Sequence, residues 1–111
     1  SAAAQRVAVA DAPAKPAAAA TGDAGAAAAA QALLKKNACI ACHAIDGKLV
    51  GPAFRDVARK CGDRADAATY LAGKIRSGGT GVWGAIPMPP QTLPDAEAAQ
   101  IAAWLAAGAK K

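Results

Sequence analysis

The chain has 111 residues, of which 13 are basic and eight acidic, giving a formal net charge of +5. This length predicts a single domain, and no apolar run reaches the roughly 18 residues that a membrane span needs. The basic residues are scattered without interleaved aromatic residues that could stack on bases, which argues against a nucleic-acid partner.

Residues 1–23 differ in composition from the rest of the chain. They are mostly alanine, with Pro13 and Pro16 and no aromatic residue, so they cannot bury a core of their own. We interpret 1–23 as an Ala/Pro-rich tail or linker and 24–111 as the folded domain. A unit this small, with two Trp, one Tyr and one Phe, usually needs a disulfide, a metal or a cofactor to complete its core.

The periodicity of the domain predicts an all-α fold with about four helices. The alanine-rich segment 24–37, which ends in Lys35 and Lys36, predicts the first helix, because alanine favours helices and cations suit their C-termini. Apolar spacing and turn signals predict further helices over about 54–59, 65–77 and 95–107. Three prolines exclude a continuous helix over 82–93, and no strand pattern is visible.

Cys39, Cys42 and His43 form a C-x-x-C-H motif, which is the signature of covalent haem attachment. Two thiols at this spacing reach the two vinyl groups of one porphyrin edge, and the following histidine can offer a nitrogen to iron. A thioredoxin-type motif requires a βαβ setting, and a zinc site requires four ligands; neither is visible. A simple disulfide remains possible but would make the adjacent histidine a coincidence. We predict one covalently attached haem c.

Met88 is the only methionine, and His43 is the only histidine. Met88 lies in a proline-rich segment, 86–90, about 45 residues after His43, which lets the chain cross to the other haem face. The prolines limit backbone freedom, so the thioether can be held at iron at little entropic cost. We predict that His43 and Met88 are the two iron ligands, with core filling as the alternative role of Met88.

Six motifs support a family resemblance. They are CIACHAID (39–46), VGPAF (50–54), DVA (56–58), GVWG (81–84), IPMPP (86–90) and AW (103–104). In this order and spacing the chain resembles the small bacterial class I cytochromes c of the c-551/c8 type, over roughly residues 31–107. The resemblance implies the class I cytochrome c fold, with helices around one haem, and says nothing about 1–23.

The resemblance also implies roles for four further residues. The carbonyl of Pro52 would accept a hydrogen bond from the His43 imidazole, and the indole N–H of Trp83 would donate to a haem propionate. Lys74 stands where Arg is frequent and would pair with a propionate as a point charge. Gln91 stands where Asn often contacts the methionine sulfur. The alternatives are core filler for Trp83, a solvated helix face for Lys74 and a solvated loop for Gln91.

Two positions depart from the family pattern. Ala38 precedes the first haem cysteine, where Gly is usual, so we expect a slightly wider crossing of the first and last helices. Cys61 stands where an aromatic residue is common and has no intrachain cysteine partner to spare. We interpret Cys61 as a partly buried inert thiol in a monomer; a Cys61-linked dimer or an engineered change is the alternative.

With both axial positions filled by protein, no coordination site remains for a substrate. We therefore predict a periplasmic one-electron carrier between respiratory redox proteins, and not an enzyme. The basic domain predicts partners that are acidic at the docking site, although its charge can also serve solubility alone. The alternatives are a haem domain excised from a larger redox enzyme, with 1–23 as the linker, and a gas-sensing haem protein in which Met88 is not bound.

We expect the docking surface at the exposed haem edge. Its predicted members are apolar or small: Ile40, Ala41, Leu49, Ala85, Ile86, Pro87 and Pro89. Such a surface desolvates easily and suits a brief encounter, while Lys35, Lys36 and Lys48 would steer acidic partners from further out. Coverage of the surface by the tail is the alternative.

Overall fold

The computed structural model of the chain describes residues 24–111. It contains four α-helices, Ala24–Lys36 (α1), Phe54–Cys61 (α2), Ala67–Ser77 (α3) and Asp95–Ala106 (α4), with a 3-10 turn at Cys39–Ala41. No strand occurs in this range, although an isolated antiparallel bridge joins Gly79 to Met88. The predicted tail, 1–23, lies outside the described residues, so its interpretation as a linker stays a prediction.

Helix α4 is the centre of the packing, because it contacts each of the other three helices. Pro94 precedes its first turn, and Asp95 and Glu97 lie in that turn, where their charge favours the positive end of the helix. Its Ala98 and Ala102 are fully buried. Small side chains at these positions let neighbouring helices approach closely, and they belong to the same apolar cluster as the buried alanines of α1.

The end of α1 is tied to the start of α4 by polar contacts. The Lys36 ammonium lies 2.6 Å from one carboxylate oxygen of Glu97, and the Asn37 side-chain amide donates to the other at 3.0 Å. These hydrogen bonds hold the pKa of Glu97 below its ordinary value, with Lys36 as the larger cause. They fix the crossing of the first and last helices, α1 and α4.

The prediction of an all-α fold with about four helices is confirmed, and the ends of all four helices differ from the predicted ones by no more than two residues. The 3-10 turn at Cys39–Ala41 was not predicted. Ala38 adopts φ 59°, a left-handed conformation, and lets the chain turn sharply from α1 into that turn. A glycine preference at this position therefore has a local backbone reason. The predicted widening of the helix crossing stays a prediction.

Candidate haem-binding site

A cleft of about 430 Å³ lies between the helices and the loops, and all four helices contribute to its lining. The fold brings all eight predicted site residues to this cleft. They are Cys39, Cys42, His43, Pro52, Lys74, Trp83, Met88 and Gln91. The interior of the cleft is apolar, with Leu34 of α1, Leu71 and Ile75 of α3, and Ile101 and Leu105 of α4 among the lining residues.

The 3-10 turn presents the first two of these side chains. The amides of Cys42 and His43 both donate to the carbonyl of Cys39, at 3.2 and 3.0 Å, so the C-x-x-C-H segment is wound tightly on itself. Cys39 is half-buried and Cys42 is exposed, and neither forms a disulfide within residues 24–111. Burial raises the pKa of the Cys39 thiol above its ordinary value.

His43 is held from two sides. Its Nδ1 lies 2.7 Å from the carbonyl oxygen of Pro52, and its ring stacks on Phe54 with 4.9 Å between centroids. A carbonyl can only accept a hydrogen bond, so Nδ1 carries the proton and donates it. The other nitrogen, Nε2, is left with a free lone pair, which is the form that binds a metal.

Gly51 is a site residue whose role the sequence did not reveal beyond a turn signal. A Cβ at this position would lie 2.5 Å from Cε1 of the His43 ring, closer than side-chain carbons approach one another. The Gly51 amide also donates to the carbonyl of Cys42 at 2.7 Å. Gly51 thus leaves the space in which the imidazole lies and fastens the loop beneath it.

Met88 approaches the cleft from a different segment. It is half-buried, and its main chain pairs with Gly79 in the antiparallel bridge. The side-chain amide of Gln91 donates to the carbonyl of Pro89 at 2.8 Å, so Gln91 stabilises the bend that follows Met88. The predicted contact of Gln91 with the methionine sulfur stays a prediction.

The margin of the cleft carries unpaired positive charge. Lys48 and Lys74 line it and form no ion pair within 24–111, while the Lys60 ammonium lies 5.4 Å from the centre of the Trp83 ring. Among the described lining residues Asp56 is the one acid, and it pairs with Arg59. Trp83 is 41% exposed, and its predicted hydrogen bond to a propionate stays a prediction. This margin suits carboxylates.

Cys61 is buried and lines the cleft, which is deeper than the partial burial predicted for it. A disulfide to a second chain would require its exposure.

The residues of the cleft fit a haem: two thiols and an imidazole on one segment, a thioether on another, an apolar interior and a cationic margin suited to propionates. Helices around such a cleft define a class I c-type cytochrome.

Comparisons with known proteins agree with that class. Residues 27–108 match the family model of cytochrome c, and the chain belongs to this family. It is 55% identical over 84 residues to cytochrome c-552 of Hydrogenobacter thermophilus, covering 76% of this chain and 86% of that protein. It is 58% identical over 74 residues to cytochrome c-552 of Nitrosomonas europaea, covering 66% and 72%.

The fold agrees as well. The crystal structure of wild-type Nitrosomonas europaea cytochrome c552 matches with a TM-score of 0.68 and 54% identity, over 70% of this chain and 98% of that one. The predictions of the family, the fold class, one covalently bound haem c and electron transport without enzymatic activity are confirmed. Within 24–111, no helix is both long enough and apolar enough to cross a membrane.

Proposed function

We propose that this chain is a periplasmic one-electron carrier in which His43 and Met88 ligate the iron and Cys39 and Cys42 bind the haem through thioether bonds. The observation that carries the proposal is the hydrogen bond from His43 Nδ1 to Pro52, because it leaves Nε2 free inside the cleft that Met88 also lines. When bound, the haem supplies an iron that takes up and releases one electron.

The protein's contribution is to keep the ligand geometry constant. His43 is fixed by Pro52 and Phe54, and Met88 by its backbone pairing with Gly79. Fixed ligands need little rearrangement between oxidation states, which speeds electron transfer. Trp83 and Lys74 would hold the propionates at the cationic margin of the cleft.

The predicted docking surface supports transfer to a protein partner. All seven of its residues are exposed, and Ile86, at 67%, is the most exposed large apolar side chain among residues 24–111. Lys35 and Lys48 form no ion pair within the described part of the chain, so their charge is available to steer an acidic partner, whereas Lys36 is paired with Glu97. We propose acidic redox proteins as the partners.

The test is the absorption spectrum of the ferric, haem-loaded protein. The protein should show the far-red sulfur-to-iron charge-transfer band, and Met88→Ala should lose the band and bind carbon monoxide rapidly when reduced. Val82→Ala, which shortens an exposed apolar side chain of the same loop, is the matched control and should keep the band. A wild-type protein that lacks the band and binds carbon monoxide rapidly would instead support the gas-sensing alternative.

A further inference from the structure

Three backbone hydrogen bonds join the Met88 segment to the end of α3. The Gly79 amide donates to the Met88 carbonyl at 3.0 Å, and the Met88 amide donates to the Gly79 carbonyl at 2.8 Å. The Gln91 amide donates to the carbonyl of Ile75, inside α3, at 3.2 Å. The main chain that carries the thioether is therefore anchored to a helix and does not depend on the exposed loop before it.

That loop closes on itself. The Gly81 amide donates to the Gly84 carbonyl at 2.8 Å, and the Thr80 hydroxyl donates to the Ala85 carbonyl at 3.2 Å. These hydrogen bonds make residues 80–85 a self-contained loop. The position of Met88 is consequently decided at the base of the loop, where α3 ends.

Gly78 ends α3 at this base, in a conformation that is essentially confined to glycine, with φ 69° and ψ −160°. A Cβ there would lie 2.2 Å from the carbonyl oxygen of Met88 and 2.9 Å from both the carbonyl carbon of Pro89 and the nitrogen of Pro90. All three are main-chain atoms, so no change of side-chain rotamer relieves the overlap. Only displacement of the Met88 segment, or of the helix end, makes room.

We propose that Gly78 is the positioning residue for Met88: its missing side chain lets the Met88 main chain lie directly against the end of α3, and this sets the depth of the thioether in the cleft. The inference rests on the proposed function, in which Met88 ligates iron. A side chain at position 78 would move the methionine away from iron. It would leave His43 in place, because Pro52 and Gly51 hold the imidazole from a different segment.

The experiment compares three glycine-to-alanine variants of the haem-loaded protein. Gly78→Ala combines backbone strain with the overlap. Gly108→Ala has the strain alone, since its φ is 116° and its Cβ would meet only the Lys110 side chain, at 3.5 Å. Gly73→Ala has neither, because it is an exposed helical position with nothing within 4 Å.

The readouts are the far-red band and the rate at which imidazole displaces the methionine from ferric iron. For Gly78→Ala we expect a weakened band and displacement at least tenfold faster than in the wild-type protein. Gly108→Ala and Gly73→Ala should stay within twofold of it, although Gly108→Ala lowers the thermal midpoint. Displacement at the wild-type rate in Gly78→Ala, with the band present in the wild-type protein, overturns the inference alone. A wild-type protein without the band overturns the proposed ligation first.

Amide hydrogen exchange of the wild-type protein provides a second measurement if Gly78→Ala fails to fold or to load haem. The Met88 and Gly79 amides should exchange at least tenfold more slowly than the amide of Val82 in the loop, because both donate within the anchored pair. Equal exchange rates for Met88 and Val82 would show that the anchor is open in solution and would overturn the inference.

Discussion

The Nδ1 atom of His43 lies 2.7 Å from the carbonyl oxygen of Pro52, and this one contact decides which imidazole nitrogen is free to bind iron. The residue before Pro52 is the glycine whose missing side chain makes room for the ring. The pair is therefore sensitive to a single added methyl group. A substitution at Gly51 tests the contact without replacing His43 or Pro52.

Gly51→Ala should tilt the imidazole and weaken its hydrogen bond to Pro52. A less basic imidazole stabilises ferric iron less, so the midpoint potential should rise, on the order of tens of millivolts, and the yield of haem-loaded protein should fall. Gly47→Ala is the matched control, because its Cβ would meet nothing within 4 Å. Potentiometric titration of both variants checks the prediction, and equal potentials would contradict it.

Ala38→Gly should stabilise the protein. Ala38 adopts φ 59°, and a non-glycine L-residue in the left-handed region destabilises the folded state by about 1–2 kcal/mol. Glycine removes this strain, but its larger conformational entropy in the unfolded state offsets part of the gain. We expect a net gain of about 0.5–1 kcal/mol, seen as a higher denaturant midpoint with an unchanged slope. Ala28→Gly, at an exposed position inside α1, should instead destabilise by about 1 kcal/mol. A loss of stability in both variants would show that Ala38 is not strained.

Glu97→Gln should reduce stability at neutral pH and lose its effect in acid. Lys36 and, secondarily, Asn37 depress the pKa of Glu97 in the folded state below the ordinary 4.5. Because the pKa of Glu97 is lower in the folded state than in the unfolded state, its carboxylate stabilises the folded state at any pH above the unfolded-state pKa of 4.5. This contribution is lost as the pH falls from 4.5 through the folded-state pKa. Denaturant midpoints measured from pH 7 to pH 3 should therefore converge for the two proteins. Asp63→Asn, which replaces an acid without an ion pair among residues 24–111, is the matched control for the loss of one carboxylate.

Cys39→Ala combined with Cys42→Ala should abolish covalent attachment of the haem. The wild-type mass should exceed the sequence mass by one haem, and acid-acetone extraction should leave the haem on the polypeptide. Cys61→Ala is the matched control: it removes the third thiol, which lines the same cleft but lies outside the C-x-x-C-H motif, and should keep the haem attached. Release of haem from the wild-type protein into the organic phase would contradict this assignment.

Leu49→Lys and Ile86→Lys should slow electron self-exchange between oxidised and reduced copies at least threefold. Each substitution places a hydrated charge on the exposed docking surface. In self-exchange this surface meets the same surface of a second copy, so the new charge must be desolvated and is repelled by its counterpart. Ala99→Lys adds the same charge at an exposed position of α4 that does not line the cleft, and should change the rate little. Nuclear magnetic resonance line broadening gives the rates, and midpoint potentials should be unchanged. Equal rates in all three variants would place the electron exit elsewhere.

Short-range features of the sequence predicted much of the site. The spacing of Cys39, Cys42 and His43 is set by neighbouring peptide bonds, and the lone Met88 stands out by composition alone. The four helices were predictable for a similar reason, since alanine content, a proline before α4 and acidic residues in its first turn act within a turn or two of the chain. The prediction that the Pro52 carbonyl would accept a hydrogen bond from His43 came from the family resemblance and agrees with the observed geometry.

The tertiary structure decided which residues of distant segments contact each other and how much space separates them. Gly51 and Gly78 look alike in the sequence, as turn residues, but one makes room for an imidazole and the other for the main chain of Met88, ten residues later. Lys60 meets Trp83 across the fold, and Lys36 meets Glu97 across a helix crossing. Such contacts depend on how whole helices pack. The distance between two segments is set, to a few tenths of an ångström, by the volumes of many side chains packed between them, and no local sequence pattern contains that information.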